Sequence, residues 1–65
     1  MKTFDEAVET IAVRRVRMLL EGDVQYEGFM DAAEVNGLAE VYDTTYTEAW
    51  DAVRVAFRRQ LQLLA

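Results

Sequence analysis

The sequence predicts an all-α fold, a small bundle of three main helices in a single domain over residues 1–65. Two long segments carry apolar residues at the three- and four-residue spacing of a helix that is buried on one side. Each of these segments also begins with a capping-box motif. No alternating apolar and polar run, and no turn pair typical of a hairpin, indicates a strand.

The first helix is predicted over residues 4–21. Thr3-x-x-Glu6 is a capping box with Thr3 as the N-cap, and Gly22 is a typical C-terminal stop. The apolar face that follows from the spacing consists of Phe4, Val8, Ile11, Met18 and Leu19.

The middle of the chain is predicted to form two shorter helices. Asp23 caps one over about residues 24–35, which ends at Asn36 and Gly37. A short helix over about residues 38–43 then follows, before a turn rich in threonine.

The last main helix is predicted over residues 46–64, opened by the second capping box, Thr45-x-x-Glu48. Its apolar stripe is the most regular in the chain and consists of Tyr46, Trp50, Val53, Phe57, Leu61 and Leu64. We expect Trp50 and Phe57, at the centre of this stripe, to anchor the core.

Composition argues against catalysis and against a metal site or cofactor. The 65 residues include no cysteine and no histidine, so the commonest metal ligands and the commonest general base are absent. A chain this short has little room for a cleft that excludes water. The acidic N-terminal residues and the lack of a long apolar run favour a cytoplasmic protein without a membrane segment. We therefore expect a binding protein and not an enzyme.

Charge is unevenly distributed in a chain of net charge −5. Residues 19–53 contain nine acidic residues and no Lys or Arg, and the arginines form two clusters. These clusters are Arg14, Arg15 and Arg17, then Arg54, Arg58 and Arg59. If the first and last helices are parallel, both clusters lie at a similar height. They would then meet the acids of the middle segment or form a basic band that docks an acidic protein partner. We expect a mixture, with Arg54 and Arg58 free for the partner.

Arg15 falls in the middle of the apolar face of the first helix. It either pairs with an acid of the middle segment at the edge of the core, or lies at the centre of a binding surface. The same helix carries more apolar surface than one core needs, through Val13, Val16 and Leu20. A homodimer is the simplest explanation of this second apolar surface.

Residues 38–53 resemble a helix-turn-helix. Leu38 and Ala39 stand at the inward positions of its first helix, while Ala49 and Val53 stand at those of its second. Asp43 replaces the glycine of the turn. The resemblance implies a DNA-binding regulator in which Tyr46 and Thr47 lie near bases, and Arg54 and Arg58 near phosphates.

The opening of the chain, MKTFDEAVE, and its content of Arg, Ala, Glu and Val resemble small accessory proteins of bacteriophages that infect high-GC bacteria. That resemblance implies a host-directed regulator or inhibitor. The leading hypothesis from the sequence is therefore a non-catalytic protein that binds and modulates a protein partner. DNA binding through the helix-turn-helix is the alternative.

Overall fold

The computed structural model describes residues 2–22 and 31–64, which form three α-helices. These are α1 (Phe4–Glu21), α2 (Ala32–Val41) and α3 (Tyr46–Leu64), and the described residues contain no strand. The predicted all-α bundle is confirmed. The predicted limits of the first and last helices, residues 4–21 and 46–64, are those observed.

The ends of α1 form as the sequence predicts. The backbone N–H of Glu6 donates to the Thr3 hydroxyl at 3.2 Å, and the Thr3 N–H donates to the Glu6 carboxylate at 3.0 Å. Gly22 ends the helix with a left-handed φ of 82°, a conformation in which a side chain would be strained. At α3 half of the second capping box is present, because the Glu48 N–H donates to the Thr45 hydroxyl at 3.1 Å.

One predicted boundary in the middle of the chain, the break at Asn36 and Gly37, was wrong. Residues 32–41 form one continuous helix that passes through Asn36 and Gly37, whereas the sequence pattern predicted a break there. The helix is capped by Asp31, whose side chain accepts the N–H groups of Ala33 and Glu34. Asp23 and residues 24–30 of the predicted helix lie outside the described residues.

Packing explains why α2 continues through Asn36 and Gly37. Val35, Leu38 and Ala39 are buried on one face of this helix. Their burial outweighs the penalty of about 1 kcal/mol for a glycine within a helix. The short helix predicted over residues 38–43 is therefore the second half of α2, and Tyr42 is its C-cap.

All three helices contribute to the core. Its buried residues are Val8, Ala12, Val16, Val35, Leu38, Ala39, Ala49, Val53, Ala56 and Phe57. Phe57 is fully buried, as expected of a core anchor, whereas Trp50 is only partly buried against the core. Tyr46, the first residue of the predicted apolar stripe of α3, is 40% exposed.

Contacts between the helices define an up-down-up arrangement. The Tyr42 hydroxyl, at the end of α2, donates to the Lys2 carbonyl oxygen at 2.8 Å. The Tyr42 ring also makes an edge contact with Phe4, with centroids 5.7 Å apart. The start of α2 lies beside the second half of α1, because Arg15 bonds to Glu34. The short turn after Tyr42 reverses the chain again, so α1 and α3 run parallel.

Within residues 2–22 and 31–64, none of the helices combines the length and apolar character that a membrane span requires.

Candidate functional site

Arg14 and Arg15 both pair with acidic residues of α2 and its N-cap, Arg14 at the surface and Arg15 largely enclosed. The Arg15 side chain is 11% exposed, and its Nε and Nη2 donate to one oxygen of Glu34 at 3.2 and 3.0 Å. Nη2 also lies 3.6 Å from the Asp31 carboxylate, and Arg14 contacts the other oxygen of Glu34. Of the two interpretations of Arg15, the structure shows the pairing with an acid of the middle segment. Arg14 and Arg15 thus fasten α1 to α2.

The second arginine cluster lies at a different level from the first. Arg59 pairs with Glu9, and the Gln60 amide donates to the same carboxylate at 2.9 Å. Glu9 precedes Arg14 by five residues, or about 7.5 Å along α1. Moreover, Glu9 faces α3 while Arg14 faces α2. The two clusters therefore do not form a single basic band, and Arg14 and Arg15 instead meet an acid of the middle segment, which was the other predicted outcome.

Three of the predicted partner-binding arginines, Arg17, Arg54 and Arg58, form no ion pair with α2 among the described residues. Arg17 and Arg58 are exposed and have no ion pair within the described part of the chain. Arg54 lies 3.7 Å from the Asp51 carboxylate one turn earlier, and its guanidinium carbon is 5.6 Å from the centroid of the Trp50 ring. This geometry is a cation–π contact, and it leaves the Arg54 side chain 32% exposed.

Four side chains, spaced four residues apart, form a row along α3. We call this row the α3 ridge, and it consists of Tyr46, Trp50, Arg54 and Arg58. A shallow hollow beside its first half is bordered by Tyr46, Thr47, Trp50 and Asp51. Sequence reasoning singled out the two arginines and, in the helix-turn-helix alternative, Tyr46, but it assigned Trp50 to the core alone. The constant four-residue spacing of these side chains was the sequence signal that could have identified them as one row.

The turn between α2 and α3 contains a residue in the left-handed backbone region. Asp43, at the position of the glycine in the helix-turn-helix motif, has a left-handed φ of 53°. The Thr44 N–H closes the turn by donating to the Ala39 carbonyl at 3.0 Å, and Thr45 caps α3. The inward positions of the motif are buried, namely Leu38, Ala39, Ala49 and Val53. Exposed carboxylates surround the turn and the start of α3, at Glu40, Asp43, Glu48 and Asp51.

A second surface feature follows the line where α1 meets α3. Three shallow hollows share lining residues and form one groove, which we call the α1–α3 groove. It is defined by Glu9, Val13, Leu20, Val55, Gln60 and Leu64. Of the residues predicted to extend the apolar surface of α1, Val13 and Leu20 are exposed here, whereas Val16 is buried in the core.

Comparison with protein-family models, with characterised proteins and with solved structures finds no significant match. The function must therefore be argued from the residues of this chain alone.

Proposed function

We propose that this is a non-catalytic interaction protein whose α3 ridge docks an acidic segment of a partner protein. The observation that supports this proposal best is the composition and spacing of the ridge. Trp, Tyr and Arg are the residue types most enriched among the few that dominate binding energy at protein interfaces. Here Tyr46, Trp50, Arg54 and Arg58 form one continuous row on the surface of a rigid helix.

The environment of Arg54 favours recognition of a carboxylate. The Trp50 ring contacts one face of the Arg54 guanidinium and restricts its rotamers. The Arg54 side chain therefore loses less conformational entropy when a partner binds. A guanidinium can donate two parallel hydrogen bonds to one carboxylate. The competing Asp51 lies 3.7 Å from Arg54 and is 57% exposed, so water weakens this pair and a partner can displace it. Arg58, one turn further, offers a second cation.

The surrounding charge favours a short acidic segment over an extended polyanion. Exposed Glu40, Asp43 and Glu48 lie at the turn and in the first turn of α3, beyond the two arginines. A protein segment with one or two carboxylates avoids these acids, while a phosphate backbone that continues past the arginines meets them. A host-directed inhibitor, as the resemblance to phage accessory proteins implies, is one form that such a binding protein takes.

The test compares Arg54→Glu/Arg58→Glu with the unchanged protein as bait in nuclease-treated lysate of the source or host cells. We expect the double variant to melt nearly as the parent does, because neither side chain is buried, and to lose the captured protein. Association of the purified partner should slow, since complementary charge acts mainly on the association rate. If the double reversal unfolds the protein, the arginines are structural and the proposal fails.

A matched pair of single variants isolates the ridge from net charge. Arg58→Glu and Lys2→Glu each change the charge by two at an exposed position, but Lys2 is not part of the ridge. Arg58→Glu should slow association, and Lys2→Glu should leave it near the parent value. Equal effects of the two variants would contradict a docking site on α3.

Sequence-dependent DNA binding is the second candidate, and the left-handed Asp43 in the turn is the observation that favours it. In that mode Tyr46 and Thr47 would contact bases, and Arg54 and Arg58 phosphates. Affinity for duplex DNA should then fall steeply with salt, and each Arg→Ala change should lower the slope by about one. We expect no measurable binding at physiological salt. Selective binding there would replace the first proposal by this one.

A further inference from the structure

The α1–α3 groove exposes apolar side chains that the bundle does not cover. Leu20 is 67% exposed, Leu64 59%, Val55 50% and Val13 39%. Leu20 and Leu64 line the same hollow at the C-terminal end of the two helices, while Val55 lines the hollow at the other end. The groove therefore offers an apolar contact at each end, on a side of α3 different from that of Tyr46 and Trp50.

The two ends of the groove have opposite charge. Asp5 and Asp51 line the hollow that contains Val55, and Arg17 lines the hollow that contains Leu20 and Leu64. Asp5 and Arg17 have no ion pair within residues 2–22 and 31–64. At the middle of the groove, Glu9 is already neutralised by Arg59.

We propose that a second copy of this chain covers the groove, with its α1 and α3 antiparallel to those of the first copy. A two-fold axis at the middle of the groove brings Arg17 of each copy to Asp5 and Asp51 of the other. The same rotation places Leu20 and Leu64 against Val55. The groove is thus complementary to itself, as a two-fold interface requires.

The antiparallel orientation follows from charge. A parallel pair would bring the basic ends of the two grooves together, and likewise their acidic ends, and like charges that face each other across an interface oppose association. The size of the face sets the expected strength. Two adjacent helices, about 27 Å long and together about 20 Å wide, give a footprint of roughly 540 Å² per copy. This area is near the lower end of those of specific protein interfaces. We therefore expect a reversible dimer at micromolar concentration.

Sedimentation of the full chain tests the proposal with a matched pair of valines. Val55→Lys and Val41→Lys introduce the same charge at exposed helical positions, but Val41 lies on α2, away from the groove. Val55→Lys should raise the dimer dissociation constant by about tenfold or more, because it buries two unpaired charges per dimer. Val41→Lys should leave that constant unchanged. A parent protein that is monomeric at all concentrations, or equal effects of the two substitutions, would overturn the proposal.

Charge exchange tests the contact between Arg17 and Asp5. Arg17→Asp and Asp5→Arg should each weaken self-association, because each juxtaposes like charges twice in the dimer. An equimolar mixture of the two variants should form a heterodimer tighter than either homodimer, since both contacts between positions 17 and 5 are attractive again and only one of the two contacts with Asp51 is repulsive. Circular dichroism of each variant establishes that it is folded. A mixture that associates no better than the single variants contradicts the contact.

Orientation is measured with one spin label. The chain has no cysteine, so Glu21→Cys provides a single attachment site at the exposed end of α1. The two-fold axis lies at the level of residue 11, midway between Asp5 and Arg17. This level is ten residues before Glu21. In the antiparallel dimer the labels are then about 30 Å apart, against about 10–20 Å in a parallel dimer. The short distance would overturn the proposed orientation. Because no ridge residue is changed in these experiments, a negative result would leave the proposed function untouched.

Discussion

The pairing of Arg15 with Glu34 makes a quantitative prediction about stability. Glu34→Ala removes the carboxylate that accepts two hydrogen bonds from Arg15 and one from Arg14. The Arg15 side chain is 11% exposed, so its charge remains largely enclosed after the substitution. Among the described residues, the Asp31 carboxylate, 3.6 Å away and half exposed, is the one remaining acidic partner of Arg15.

Breaking a fully buried ion pair costs about 3–5 kcal/mol, because one charge remains unpaired. Glu34 is 24% exposed and water reaches part of the site, so we expect Glu34→Ala to lower the free energy of unfolding by about 2–3 kcal/mol. A chain of this size has only about 3–10 kcal/mol of stability in total. The melting temperature should therefore fall by about 10–20 °C.

Urea denaturation followed by circular dichroism gives the free energies. Glu34→Gln is the matched control, because glutamine has the same side-chain length and keeps one acceptor oxygen. It should lower the free energy of unfolding less than Glu34→Ala does. Arg15→Met/Glu34→Ala removes the stranded charge as well, and should regain most of the lost stability. A Glu34→Ala variant within about 0.5 kcal/mol of the parent would refute the reasoning, since changes of that size are typical of ordinary surface positions. A double variant less stable than Glu34→Ala would also refute it.

Three further predictions concern the core, the turn and the first cap. Phe57→Ala should lose about 3–5 kcal/mol and leave little folded protein by circular dichroism, while the partly buried Trp50→Ala should remain folded. Asp43→Val should lower stability in urea by about 1–2 kcal/mol, because a β-branched residue is strained at positive φ, and Asp43→Gly should not. The pKa of the Glu6 carboxyl is lowered from 4.5 by two hydrogen bonds with Thr3, first the one from its backbone N–H and then the one with its side chain. Its contribution to stability is therefore present above pH 4.5 and is lost as the pH falls through the lowered pKa, so the urea midpoint of Glu6→Gln should depend less on pH there.

Local sequence signals were sufficient for the two long helices. The capping box of Thr3 and Glu6, the terminal Gly22 and the helical spacing of apolar residues all act within one or two turns of chain. Such signals place the ends of a helix without knowledge of its neighbours. The approximate limits predicted for α1 and α3 therefore agree with those observed.

Tertiary packing decided what the sequence could not show. Asn36 and Gly37 are a plausible stop in isolation, yet the buried face of α2 continues across them. The level of the second arginine cluster likewise depends on the register of α3 against α1, which the Glu9 contacts set and which no local pattern encodes. Sequence spacing did place Arg15 among apolar neighbours, but the choice of Glu34 as its partner required the fold.

The two proposed surfaces can operate at the same time. At about 100° per residue, Tyr46 and Trp50 on the ridge point about 180° and 140° away from Val55 around α3, whereas Arg58 points only about 60° away. A dimer formed through the groove would therefore keep Tyr46 and Trp50 of both ridges exposed and bind as a bivalent unit. On a dense surface of immobilised partner, such a dimer should dissociate at least ten times more slowly than a monomer. Arg17→Asp leaves the ridge intact, so it should remove this difference without changing the one-to-one affinity in dilute solution. If Arg17→Asp weakened the one-to-one affinity as well, Arg17 would itself contact the partner, and the separation of the two surfaces would be wrong.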